Sequence, residues 1–179
     1  MRPLDLIRGF PGKPSHPPLT DASIGAYTAG VVMLVLGALG LEEEQMAHGA
    51  LLAVSVGLLL AAPTAVTGLV DWLRIDRDLP ARRAGLFHLV AMVTTTLLFA
   101  GTWLAQLDGY KHDTVKTLAW ILGVAGEALL VAGGYLGGTL VFVYGIRVLK
   151  RPHTPFADAV IPGRSNEEVI QEEPAVRIQ

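Results

Sequence analysis

The carboxylate of Glu127 interrupts an apolar stretch running from Thr117 to Val148. It lies about ten residues into that stretch, roughly 15 Å by helical rise. An ionised side chain is costly at such a depth in a bilayer, so Glu127 must be protonated, paired or in contact with water. Two chemistries suit it. It could carry a proton or contact a quinone or other ligand, or it could be a neutral acid bonded to a hydroxyl or a backbone carbonyl. Ser55, Thr95 and Thr96 fall at comparable depth and are the expected hydroxyl partners. Gly123, Gly134 and Gly138 share its helical face, which implies packing against another helix. A proton relay needs further ionisable steps, and none is evident between Glu127 and the strongly basic flank that follows Val148.

Histidine offers the second chemistry. His16 and His88 fall near one boundary of the apolar stretches, as does His153, whereas His48 and His112 fall near the other. A haem held by two histidines needs both at matching depth on facing helices, which excludes His48 with His88 and leaves His16 with His88. Asp71, in the last turn of the second stretch, could orient either ring. The alternative is a neutral His88 bonded to Asp71 or to a carbonyl. The candidate ligand or polar cluster is therefore His16, Asp71 and His88.

The elements that must position these groups are four apolar stretches, at about 23–41, 48–72, 83–106 and 117–148. At ~1.5 Å per residue each can cross a ~30 Å hydrocarbon core. The expected fold is all-α, a four-helix transmembrane bundle. Twelve of the fourteen Lys and Arg residues sit in the N-terminal arm, the middle loop and the C-terminal flank, against Lys111 and Lys116 elsewhere. By the positive-inside rule both termini are cytoplasmic. Residues 1–21 then form a cytoplasmic arm, 22–150 the membrane domain and 151–179 a cytoplasmic tail that is mobile or peripherally docked. Thr20 and Asp21 are expected to cap the first helix. The arm lacks an apolar core and reads as no signal peptide, so the first span itself directs insertion.

In the fourth stretch, Gly133, Gly134, Gly137 and Gly138 form two overlapping pairs at four-residue spacing. Such pairs let helix backbones approach closely, here with packing inside the bundle preferred over a second subunit. There is no cysteine, which removes disulfides, iron–sulfur ligation and thiolate zinc sites from this chain. No basic face for nucleic acid is visible. No nucleophile-bearing motif brings Ser, His and an acid together, which points away from an enzyme.

Several short motifs occur in order. They are His16-Pro17, Thr67-Gly68 with Asp71-Trp72, Arg83-x-Gly85-x-x-His88, and the run from Gly133 to Val141. With four spans, they make residues 13–150 resemble the small bacterial membrane proteins grouped as domain of unknown function 2231. The resemblance implies a bacterial inner-membrane location and brings no established reaction. Relatives resembling anchors joined to Rieske-type domains imply a redox neighbourhood, reached here through a partner. The sequence departs from the family at Lys13, Ala22, Ser23, Met92 and Thr139, where polar or motif residues are frequent. Such a depleted cluster favours a structural variant.

Three functions follow. The first is a non-catalytic membrane protein, an accessory or anchoring subunit of a larger membrane complex, a redox complex being one option, contacting lipid and other subunits or itself. The second is a redox protein binding haem b or a metal through His16 and His88. The third is an oligomeric proton-coupled transporter centred on Glu127.

Overall fold

The computed structural model describes residues 7–10, 12–150 and 152–161 of the 179-residue chain. Four long helices dominate it: α1 (His16–Ala38), α2 (Glu43–Leu73), α3 (Pro80–Lys111) and α4 (Thr117–Gly138). A five-residue π-helical turn, Thr139–Val143, continues α4. All four are long and apolar enough to cross a membrane. Short connections force neighbours to run antiparallel. α1 packs on α2 and α4, and α3 packs on the same two, which closes a bundle. Packing is most extensive within the hairpins α1–α2 and α3–α4.

Before the bundle, β1 (Gly9–Phe10) and β2 (Lys13–Pro14) form a small antiparallel hairpin, with Gly9 opposite Pro14. Gly9 and Gly12 both adopt positive φ, which makes this reversal accessible. A short helix, α5 (Phe156–Val160), is the regular part of the tail described here. The rest of the tail, from residue 162, and Arg2 at the other end lie outside the described residues.

Two helix ends differ from the sequence expectation. α1 begins at His16, ahead of Thr20 and Asp21, because Pro17 and Pro18 suit the first helical turn, where missing N–H groups cost nothing. Thr20 therefore does not cap. Its hydroxyl donates to the His16 carbonyl at 2.9 Å, inside the helix. The fourth helix stops at Val143, short of Val148. There the chain turns through left-handed Gly145 and Arg147, a geometry no α-helix continues.

The core is built on close backbone approach. Tyr27 of α1 stacks on Phe99 of α3, with ring centroids 3.9 Å apart and planes within 5°. A Cβ on Gly57 would sit 2.5 Å from the Tyr27 ring, so glycine there makes room for the aromatic pair. Val31, Val54, Ala61 and Leu130 complete this cluster. Toward the outside the helices present Leu59, Leu97 and Val131, as expected where lipid is the solvent.

Candidate functional site

The motif residues converge on one end of the bundle. His16 opens α1 with its Nδ1–H donating to the Thr64 carbonyl of α2 at 3.0 Å, and Thr67 Oγ1 lies 3.2 Å away. A Cβ on Gly68 would fall 2.7 Å from His16 Cε1, so the ring lies flat on α2. His88 of α3 makes the same kind of contact with the opposite hairpin partner. Its Nδ1–H donates to the Gly133 carbonyl of α4 at 2.8 Å, and its ring lies against Gly137. Carbonyl oxygens can only accept, so both rings carry their proton on Nδ1 and leave the Nε2 lone pair available. Thr20 Oγ1 stands 3.4 Å from His16 Nε2, a long contact. His88 and Asp71 are both within electrostatic reach of His16.

Asp71 does not orient either histidine. Its carboxylate is held by Arg8 of the N-terminal arm, 2.7 Å from Nε, and approached by Arg147 at 3.6 Å. Arg147 also donates to the carbonyls of Arg8 (2.6 Å) and Gly9 (3.1 Å). One carboxylate thus ties the arm, the end of α2 and the segment after α4 together. Ser15 Oγ adds a bond to the Ile7 carbonyl within the arm. The guanidinium groups were the better partners because two fixed positive forks outcompete a neutral ring for a carboxylate. Histidine spacing carried no signal of this. The basic residues that sorted the chain's ends did.

The neighbouring corner is locked by Trp72 and Arg82. The indole N–H donates to the Arg82 carbonyl at 3.0 Å, and the guanidinium lies 3.9 Å over the ring while donating to the Trp72 and Ile75 carbonyls. Gly85 packs beneath the indole, where a Cβ would approach it to 2.6 Å. Arg83, of the same motif, lies 5.6 Å over Phe87.

Glu127 sits at mid-length on the seam between α4 and α1, with its Oε1 accepting from Thr28 Oγ1 at 2.8 Å. Its Oε2 is buried and finds no hydrogen-bond partner among the described residues. The hydroxyls expected there are engaged elsewhere or turned away. Ser55 accepts from Trp103 Nε1 at 2.8 Å, Thr96 donates to the Met92 carbonyl, and Thr95 Oγ1 is buried without a partner among the described residues. Depth alone does not decide a partner; azimuth does, and Glu127 looks across the α1–α4 seam.

The two glycine pairs point in different directions. Gly133 and Gly137 face α3, against Met92 and His88. Gly134 meets no neighbouring atom within 4 Å, and Gly138 meets only Phe142, one turn on. Tyr135 and Phe142 beside them are largely exposed.

No curated protein and no solved structure matches the chain. A family model does match, over residues 12–150, and it spans all the motifs that meet at the His16–His88 end. The chain belongs to the family described as "Predicted membrane protein (DUF2231)".

Proposed function

We propose that this multi-span membrane protein is a non-catalytic accessory or anchoring subunit of a larger assembly in the bacterial cell membrane. The observation that carries the reading is the outward Gly134–Gly138 edge of α4, flanked by exposed Tyr135 and Phe142. Small residues on an exposed helix edge suit close approach by another helix, in a setting where lipid contact alone gives no reason for them. The inner polar groups support it. Asp71 is neutralised within the chain, Glu127 Oε1 has its hydroxyl, and both histidines hold backbone carbonyls. The basic end, with the arm, the α2–α3 loop and the tail, faces the cytoplasm in this reading. Extraction in mild detergent with crosslinking tests it. Recovery of a larger species that Gly134→Leu with Gly138→Leu disperses supports the reading, and a lone monomer under every condition refutes it.

A second reading rests on the two Nδ1 contacts. A ligating histidine ordinarily has its other ring nitrogen fixed by a carbonyl or carboxylate, which sets tautomer and orientation. His16 and His88 are both held so, from α1 and α3 at one end of the bundle. They could thus present Nε2 to haem b or to a metal. Protein produced with haem supplementation would then show a Soret band that His88→Ala abolishes. Colourless, metal-free protein would exclude the reading.

A further inference from the structure

At the end of the bundle opposite His16 and His88, three side chains of mixed ligand type meet. Glu44 and His48 lie four residues apart in the opening turns of α2, so they project on one face. Asp113 comes from the α3–α4 loop, with a left-handed φ of 57°. One ligand atom from each of the three lies within 4.8 Å of the other two. His48 Nε2 stands 2.9 Å from Asp113 Oδ1 and 3.0 Å from the Tyr110 carbonyl oxygen. The imidazole leans on the Tyr110 ring, centroids 4.5 Å apart, which limits its rotation.

We propose that Glu44, His48 and Asp113 bind one divalent transition-metal ion, Zn²⁺ by the chemistry of the set, with the Tyr110 carbonyl as a further oxygen. Two ligands at the tetrahedral angle, each ~2.1 Å from such an ion, stand about 3.4 Å apart. The two separations from His48 Nε2, 2.9 and 3.0 Å, are hydrogen-bond lengths, so an ion needs these groups to open by only about half an ångström. An imidazole with two carboxylates selects a borderline ion over Mg²⁺ or Ca²⁺, which take all-oxygen shells. Binding takes the His48 tautomer protonated at Nδ1, so that the Nε2 lone pair points at the ion.

The charges around the trio are arranged for a cation. Asp108, the nearby acid, is already satisfied by Lys116 at 2.7 Å and by His112 at 3.2 Å. Glu43 is used differently, its Oε1 accepting from the Val115 N–H at 3.0 Å. Glu44 and Asp113 form no ion pair with Lys or Arg among the described residues. An ion there would join the α1–α2 hairpin to the α3–α4 hairpin, the two units that pack less on each other than within themselves.

The test uses tag-free full-length protein in mild detergent, stripped with chelator and titrated with ZnCl₂ by calorimetry, with MgCl₂ as the comparison. Thermal unfolding is followed in parallel. The expected result is saturable binding of a single Zn²⁺ per chain with a rise in melting temperature. Asp113→Asn, which keeps the shape and tolerates the left-handed backbone, should weaken binding by ~10-fold or more. His48→Ala should do the same, while His16→Ala, His88→Ala and His112→Ala keep it. Absence of saturable binding would overturn the proposal. So would binding that survives both His48→Ala and Asp113→Asn, or that disappears with His16→Ala or His88→Ala. The outcome is independent of whether the α4 edge has a partner.

Discussion

Arg8 and Asp71, 63 residues apart in the chain, meet through a 2.7 Å hydrogen bond between guanidinium and carboxylate. The bond brings the N-terminal arm onto the end of α2, and Arg147 closes the group from the other side of α4. Both side chains of the pair are mostly shielded from solvent, which strengthens the attraction and raises the cost of breaking it.

Replacing Asp71 by Asn removes the negative charge and leaves two shielded guanidinium groups facing each other. Asp71→Asn should lower stability by about 2 kcal/mol, the scale for a charged hydrogen bond lost in a partly buried site. Thermal unfolding in detergent measures this. Limited proteolysis should cut the arm faster in the variant. Arg8→Ala alone should give part of the loss, and the double variant should be less than additive because the two share one bond. Strict additivity would show that Arg8 and Asp71 do not couple.

The four spans were legible because apolar length is a strong local signal, and the structure places a long helix over each. The convergence of His16 and His88 on one end was legible too, since counting residues from a span boundary gives depth. Partners were not. Glu127 was matched by depth to Ser55, Thr95 and Thr96, whereas Thr28 holds it, because depth says nothing of rotation about the helix axis. Asp71 was matched to a histidine, whereas it pairs with arginines from both ends of the chain, a non-local contact that no spacing encodes. The fourth helix ended early because a left-handed turn at Gly145 and Arg147 overrides an otherwise helical apolar run.

Glycine substitutions should separate the two pairs in α4. A Cβ at Gly133 would come 2.7 Å from Met92 Sδ, and one at Gly134 would meet nothing within 4 Å. Gly133→Ala should therefore cost about 1–3 kcal/mol through overpacking. Gly134→Ala should leave folding unchanged, or slightly favour it through the better helix propensity of alanine. Gly68→Ala belongs with the first group, because the His16 ring it would strike is held by two bonds. Equal melting temperatures for Gly133→Ala and Gly134→Ala would refute the assignment of inner and outer pairs.

Arg82 stacks on Trp72 and donates through one nitrogen, Nη1, to two carbonyls at the end of α2, and the stacking needs a planar cation. Arg82→Lys keeps the charge and a donor nitrogen but loses most of the stacking. It should cost about 1 kcal/mol, the scale of a partly exposed cation–π contact. Indole fluorescence should shift as well, but Trp103 and Trp120 also emit, so the comparison needs those two replaced by Phe. An unaltered Trp72 spectrum in Arg82→Lys would show that the stacking does not hold the corner.

The Glu127–Thr28 bond separates a structural acid from a proton carrier. Glutamine presents the same carbonyl oxygen to the Thr28 hydroxyl, so Glu127→Gln should retain the 2.8 Å contact and leave stability nearly unchanged. Thr28→Val removes the donor and leaves both carboxyl oxygens unsatisfied in the seam, at a cost of about 1–3 kcal/mol. A transport role makes the opposite demand. Proton flux in proteoliposomes would have to vanish in Glu127→Gln and persist in Thr28→Val, since only the titratable group carries the proton. The seam's geometry favours the first pattern, because Thr28 is the one hydroxyl within bonding distance among the described residues and no second ionisable side chain bonds to Glu127 there. Loss of flux in Glu127→Gln at wild-type stability would assign Glu127 to proton movement and not to packing.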